Sequence, residues 1–222
     1  RRYEARRDDT VSIERAAARA IEAALGLATS TALVPEPAKK KTTADPVAYS
    51  EYVQGRRYME SFRPREIARS REHLQKAIAH DPAFAHAHEA LAFSYAFEGY
   101  CGLTSSRDAF AAGVFHAVRA MEIDSTRPVA YALLAQFRKQ VDYDWVAIET
   151  EMAHARELGP PSPLVSLLYS VASLMPQGRI QDAIAELERA VELDPLSVWI
   201  HTWFGVMFAL GRDPDRAAGQ GR

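Results

Sequence analysis

The sequence predicts an all-α protein in which antiparallel helix pairs stack one on the next. Strand signals are scarce, because β-branched residues hardly ever alternate with polar ones. Alanine and leucine instead recur at helical spacing through nearly all of the 222 residues. A third observation is a repeat: the second residues of four helix-closing dipeptides lie 43, 35 and 35 residues apart. The four dipeptides are Asp81-Pro82, Asp124-Ser125, Gly159-Pro160 and Asp194-Pro195.

Small residues recur at matching places in each unit. One alanine precedes each closing dipeptide, and a small residue holds a common place in most first helices. Two helices approach closely only where side chains are small, so we expect Gly55 to face Ala77, with Leu74 and Leu187 filling the space between pairs. One pair buries too little apolar surface to be stable alone, so several must stack. The small residues are Ala77, Ala120, Ala155 and Ala190 before the dipeptides, and Gly55, Ala92, Ala135 and Gly205 in the first helices.

This pattern resembles the tetratricopeptide repeat (TPR), whose consensus has small residues, an aromatic residue and a closing proline at these offsets. The resemblance implies a right-handed superhelix of antiparallel helix pairs, an α-solenoid with about four and a half repeats over residues 46–212. The predicted repeats are Val47–Phe84, Ala85–Arg127, Pro128–Ser162 and Pro163–Ser197, with a fifth that begins at Val198.

Local motifs narrow the resemblance to one bacterial subfamily of TPR domains. They are Asp142-Tyr143-Asp144-Trp145, the run from Gly99 to Leu103, and Tyr49, Tyr52 and Gly55-Arg56. In that subfamily the repeats form the C-terminal part of multidomain signalling proteins, which are nucleotide cyclases, Ser/Thr kinases or winged-helix regulators. The resemblance therefore implies a bacterial, cytoplasmic signalling protein.

Four segments are predicted along the chain. Residues 1–26 contain an amphipathic helix, Thr10–Leu25, that the resemblance makes the C-terminal remnant of a preceding α/β domain. Residues 27–45 are rich in Ser, Thr, Pro and Lys and are predicted to be a linker. The repeats occupy residues 46–212, and residues 213–222 form a truncated or disordered tail.

Composition argues against several classes of partner. The 27 Lys and Arg and 29 Asp and Glu leave a formal net charge of −2, which gives no general attraction to nucleic acid or to anionic membranes. No apolar run approaches the ~20 residues of a membrane span. Cys101 is the only cysteine, which excludes an intrachain disulfide and favours a reducing, cytoplasmic compartment.

The sequence predicts no catalytic residue, no metal site and no cofactor. It lacks the glycine-rich, nucleophile-elbow and HExxH motifs of common enzymes. His86 and His88 are close in the sequence, as metal ligands often are. On a helix, however, residues two apart point about 200° apart and cannot share one ion. We therefore expect a non-catalytic protein.

The expected function is a protein–protein interaction scaffold that binds along the concave surface lined by the first helices. The alternative is the regulatory C-terminal region of an adenylate or guanylate cyclase, a Ser/Thr kinase or a winged-helix transcription regulator. Under either function, the partner of this chain would be a protein or peptide, another domain of the parent protein, or a second copy. The second copy would bind the fifth first helix, which no second helix covers. The residues predicted to line the groove are Tyr49, Tyr52, Arg56, His86, Glu89, Phe93, Gln136, Lys139, Trp199 and Thr202.

Some TPR proteins clamp a peptide's terminal carboxylate with Lys and Asn at fixed sites of their first helices. Tyr52, Arg56, Glu89 and Phe93 hold those sites here, so that clamp does not carry over. A lining that is aromatic and mixed in charge favours an extended or helical peptide, or self-association, over an acidic tail.

Overall fold

The computed structural model describes residues 43–61 and 63–211, and within these ranges it contains helices and no strand. The predicted helix over Thr10–Leu25, most of the predicted linker and the predicted tail lie outside the described residues. The helix that begins at Pro163 continues through a π-helical turn over Ser170–Leu174. The helices are α1 (Pro46–Met59), α2 (Pro64–His80), α3 (Ala85–Cys101), α4 (Ser106–Ile123), α5 (Pro128–Val141), α6 (Trp145–Glu157), α7 (Pro163–Tyr169), α8 (Ile180–Leu193) and α9 (Val198–Leu210).

Prolines and polar caps determine where the helices begin. A proline at the first helical position has no N–H to leave unpaired, and its fixed φ suits the helix. At the start of α1 the Asp45 carboxylate also accepts bonds from the backbone N–H groups of Val47 (2.7 Å) and Ala48 (3.1 Å). These bonds to the charged form lower the pKa of Asp45. The helices that begin with proline are α1, α2, α5 and α7.

The second helices end where the repeated dipeptides predict. Helices α2, α4 and α8 stop immediately before Asp81, Asp124 and Asp194, and these three residues have φ values of −137°, −144° and −142°, outside the helical region. Helix α6 ends at Glu157, just before Gly159-Pro160. The closing dipeptides therefore turn the chain from one pair to the next.

The helices pack as consecutive pairs: α1 with α2, α3 with α4, α5 with α6, and α7 with α8, while α9 packs on α8. Each first helix also contacts the first helix of the following pair, so α1, α3, α5, α7 and α9 form one continuous layer. Each second helix also packs against the first helix of the following pair. The predicted all-α solenoid is confirmed, and its first-helix layer carries the predicted groove residues.

The seam between α1 and α2 shows why a small residue is required. A Cβ atom on Gly55 would lie 2.6 Å from Cγ of Leu74, which is fully buried. The neighbour of Gly55 is thus Leu74, one turn before the predicted Ala77. Ala77 lies instead in a cluster with Ala48 and Phe84, nearer the start of α1. This displacement follows from antiparallel packing, in which later residues of α2 meet earlier residues of α1.

The apolar core runs through the described pairs. Fully buried leucines occur in each of the first four pairs, and they pack against buried alanines and phenylalanines. Leu187, predicted to fill the space between pairs, has no exposed surface. None of the described helices combines the length and apolar content that crossing a bilayer requires. The leucines are Leu74, Leu91, Leu133, Leu167, Leu174 and Leu187.

Candidate functional site

The ten predicted groove residues lie on four first helices, but the structure gives them different environments. Three are exposed: Tyr49, Arg56 and Thr202. Five are half-buried and two are buried. The half-buried residues are Tyr52, His86, Glu89, Phe93 and Trp199, and the buried residues are Gln136 and Lys139.

The first group of neighbours joins α1 to the start of α3. We call it the N-terminal patch; it consists of Tyr49, Tyr52, Arg56, His86 and Glu89. The ring of Tyr52 lies 6.3 Å from that of Tyr49 and 6.2 Å, edge-on, from that of His86. Arg56 donates a hydrogen bond from Nη1 to the Tyr52 hydroxyl at 3.2 Å. The structure brings these five predicted residues together, and their role in binding a partner stays a prediction.

Arg127, which sequence reasoning did not select, completes this region. It precedes α5 and donates two hydrogen bonds to the Glu89 carboxylate, from Nε (2.9 Å) and Nη2 (2.8 Å). It also donates from Nη1 to Nε2 of His86 at 2.8 Å. The side chains of Arg127 and Glu89 are only 15% and 13% exposed, so this two-pronged ion pair is largely shielded from water.

The bond from Arg127 fixes the state of His86. A guanidinium group only donates, so Nε2 of His86 accepts and the ring proton lies on Nδ1. Burial and the nearby charge of Arg127 lower the pKa of His86 to about 4, so the ring is neutral at neutral pH. Nδ1 is buried and has no hydrogen-bond partner among the described residues.

Glu89 pairs with Arg127, and Arg56 forms no ion pair among the described residues. Among the described residues, Arg56 has no carboxylate within ion-pair distance, and its hydrogen bond goes to a phenol. Tyr49 beside it is 47% exposed. The patch therefore offers a cation and aromatic surface to an incoming partner.

A second group of neighbours lies where α9 comes back against α3. We call it the aromatic cleft; it is lined by Phe93, Phe97 and Tyr100 of α3 and by Trp199 and Trp203 of α9, together with parts of α5 and α7. The ring of Trp199 lies 6.5 Å from that of Phe93 and 5.6 Å from that of Phe97. The space inside is about 20 Å³, close to the volume that one water molecule needs.

The aromatic cleft thus pairs two predicted groove residues, Phe93 and Trp199, with each other. A partner's side chain would have to displace a tryptophan to enter. The sequence identified Phe93 and Trp199 from their helical register, but not Phe97 and Tyr100, because nothing local signals that α9 reaches α3 across the intervening helices.

Gln136 and Lys139 lie at buried positions of α5, and Lys139 links this helix to the π-helical turn that follows α7. Lys139 is 7% exposed, and its amino group donates to the backbone carbonyl of Val171 at 3.0 Å, inside the π-helical turn. Burial lowers the pKa of Lys139 to about 8. Gln136 is 1% exposed, and its Oε1 has no partner among the described residues. A role for either in partner binding stays a prediction.

Two histidines that lie far apart in the sequence meet in the second pair. Nδ1 of His88 lies 2.9 Å from Nδ1 of His116, and Nε2 of His88 donates to the carbonyl of Pro82 at 3.2 Å. His116 is stacked on Tyr95, with ring centroids 5.8 Å apart. In the part of the chain that the structure describes, no three His, Cys, Asp or Glu side chains gather as a metal centre requires.

This histidine pair predicts a pH-dependent stability. Burial, with a smaller contribution from His88, lowers the pKa of His116 to about 4, below the value of about 6.5 in an unfolded chain. Between these two values the unfolded chain binds a proton that the folded chain does not, so stability falls as pH drops from about 6.5 toward about 4. We expect a shallower fall for His116→Asn in urea denaturation across this range. Equal slopes for the variant and the wild type would contradict the assignment.

The geometry described so far defines a class of protein: an α-solenoid of stacked helix pairs with a continuous layer of first helices. No protein-family model and no curated protein sequence matches the chain significantly. Solved structures do match it. One is a thermophilic TPR protein of Thermus thermophilus, with a TM-score of 0.57 and 12% identity over 73% of this chain and 81% of that one.

A second match is the Cut9–Hcn1 hetero-tetramer of the APC/C. Its TM-score is 0.54 at 15% identity, over 78% of this chain and 36% of that one. At these identities the likeness shows the fold and nothing finer. The described chain has the tetratricopeptide-repeat fold, as its repeats predict.

Proposed function

We propose that this chain is a non-catalytic protein-interaction scaffold that binds an extended or helical peptide segment over the N-terminal patch. The observation that carries the proposal is Arg56: an exposed side chain of α1 that forms no ion pair with a described carboxylate and shares a helix face with the exposed ring of Tyr49. Arginine and tyrosine are the side chains that most often dominate interface energetics. The ion pair of Arg127 with Glu89 supports the proposal, because it holds the floor of the patch in place before a partner arrives.

The TPR fold is compatible with this proposal, since stacked repeats present an extended inner surface to a partner. The Cut9–Hcn1 structure is of a hetero-tetramer, so a chain with this fold forms an assembly in that case. The aromatic cleft is a less suitable binding site than the N-terminal patch, because its small volume leaves no room for a partner's side chain. We therefore propose that a partner binds at the α1 end of the layer of first helices.

Peptides selected from a random library on the full chain would test the proposal. The double variant Tyr49→Ala/Arg56→Ala should weaken most selected peptides by roughly tenfold or more, about 1.4 kcal/mol. Both side chains are exposed, so the thermal unfolding midpoint should stay near that of the wild type.

The matched control is Arg119→Ala, an exposed arginine of α4 that pairs with Glu122 on the same helix. It should leave binding unchanged. The proposal fails if selected peptides bind the double variant as tightly as the wild type, or if no peptide is enriched.

We also propose which kind of longer protein this chain is part of. The resemblance of Asp142-Tyr143-Asp144-Trp145 and the other motifs supports a regulatory region of a cytoplasmic bacterial signalling protein: a cyclase, a kinase or a winged-helix regulator. The gene sequence upstream of Arg1 distinguishes these. Self-association through α9 also stays a proposal, supported by the 67%, 39% and 53% exposure of Val198, Val206 and Leu210.

A further inference from the structure

Among the described residues, the turns that join first to second helices contain three residues in the left-handed region of backbone space. Two are glycines, Gly102 (φ 64°) and Gly178 (φ 73°), and the third is Tyr143 (φ 54°). Glycine is usual here because a side chain makes this conformation unfavourable. Tyr143 directly follows Asp142, the C-cap of α5, and the N–H groups of both residues bond to the carbonyl of Arg138, at 3.0 Å from Tyr143 and 3.1 Å from Asp142. In the turn of the third pair, a bulky residue thus adopts the left-handed conformation that glycine adopts in the turns of the second and fourth pairs.

Packing does not compensate for this conformation. Tyr143 is 64% exposed, and its ring has no ring partner among the described residues. Its neighbours are exposed as well: Val141 by 59%, Trp145 by 38% and Val146 by 79%. We call these four residues the turn patch. Exposed apolar side chains clustered within six residues, as here, are typical of interaction surfaces.

The charges around the turn patch are predominantly negative. Asp142 and Asp144 flank Tyr143 on both sides, and Glu151 lies behind them on α6. Among the described residues, Arg138 is the cation that forms ion pairs with these carboxylates. Its Nε lies 2.7 Å from Glu151, and its Nη1 lies 3.6 Å from Asp142. Asp144 uses one oxygen to cap the N–H of Ala147 at 3.1 Å. The carboxylates therefore outnumber the cation, and a positively charged partner complements them.

We propose that the turn patch is a docking surface for a basic, apolar segment of another protein. An arginine or lysine of that segment would lie over the Tyr143 ring, between Asp142 and Asp144, and gain both cation–π and ion-pair contacts. Its apolar side chains would cover Val141, Trp145 and Val146. None of these residues belongs to the N-terminal patch, so this proposal does not depend on the function proposed there.

The test uses two synthetic helical peptides, one with leucines and arginines on one face and one with glutamate in place of each arginine. Amide shifts of the ¹⁵N-labelled full chain report where each binds. We expect the arginine peptide to shift the amides of residues 141–146 saturably and the glutamate peptide to leave them unchanged. The Tyr143→Gly variant should bind the arginine peptide about fivefold more weakly than the wild type. The unfolding temperature of this variant should be no lower than that of the wild type.

The matched control is Phe115→Ala. Phe115 is 62% exposed on α4 and lies outside the turn patch, so its loss should leave peptide affinity unchanged. Four results would overturn the proposal: equal affinity of Tyr143→Gly and wild type, equal binding of the glutamate peptide, shifts confined to other residues, or no shift at all. A lower unfolding temperature for Tyr143→Gly would also overturn it, because Tyr143 would then be retained for stability.

Discussion

Replacing Arg127 with alanine should lower the free energy of unfolding by about 2–4 kcal/mol. The change strands the carboxylate of Glu89, which is 13% exposed and bonded through both of its oxygens to Arg127. Removing one partner of such a pair costs more than the pair contributes, because the remaining charge stays buried without compensation. Urea denaturation of the two proteins at neutral pH measures the difference.

Two further variants test this explanation. Arg127→Ala combined with Glu89→Gln should recover part of the loss, because no charge is then stranded. Arg119→Ala breaks an exposed ion pair within one helix turn and should cost no more than about 0.5 kcal/mol. Burial and, to a smaller extent, the charge of Arg127 lower the pKa of His86 to about 4, so in Arg127→Ala this pKa should rise in part. A cost for Arg127→Ala as small as that of the control would contradict the buried pair.

The fold was predictable because its determinants are local and periodic. Proline at the start of a helix, an aspartate after its end and a small residue in its seam each act within a few residues, so they are visible in one sequence. The exact partner across a seam was not visible: Gly55 meets Leu74 and not Ala77, because the relative shift of two helices depends on all of their contacts.

The site was predictable only in part, because its critical contacts link distant residues. Tyr49, Tyr52 and Arg56 share one helix, and their common face follows from helical spacing alone. Arg127 lies 38 residues from Glu89, and no local pattern connects the two. The meeting of Trp199 with Phe97 likewise depends on how far each pair rotates on the one before, a quantity set by packing along the whole stack.

Leu187→Ala should lower the free energy of unfolding by about 2–5 kcal/mol. Leu187 has no exposed surface and lies in the cluster that joins α7, α8 and α9, with Leu167, Phe204 and Phe208. Truncation removes buried methyl groups and leaves a cavity that the surrounding helices fill incompletely. Chemical denaturation measures the loss, and Leu196→Ala is the control, because Leu196 is 89% exposed and its truncation should change stability by less than about 0.5 kcal/mol.

The location of that loss tests the solenoid itself. In stacked repeats each pair packs mainly against its neighbours, so a cavity in the fourth pair should weaken α7, α8 and α9 before it reaches α1 and α2, although α9 also contacts α3. Hydrogen exchange of Leu187→Ala should therefore speed up at the amides of α7–α9, with α1 and α2 near their wild-type protection. Uniform acceleration along the described helices would mean that the stack unfolds as one cooperative unit. A cost below about 1 kcal/mol would show that Leu187 is not at the centre of this cluster.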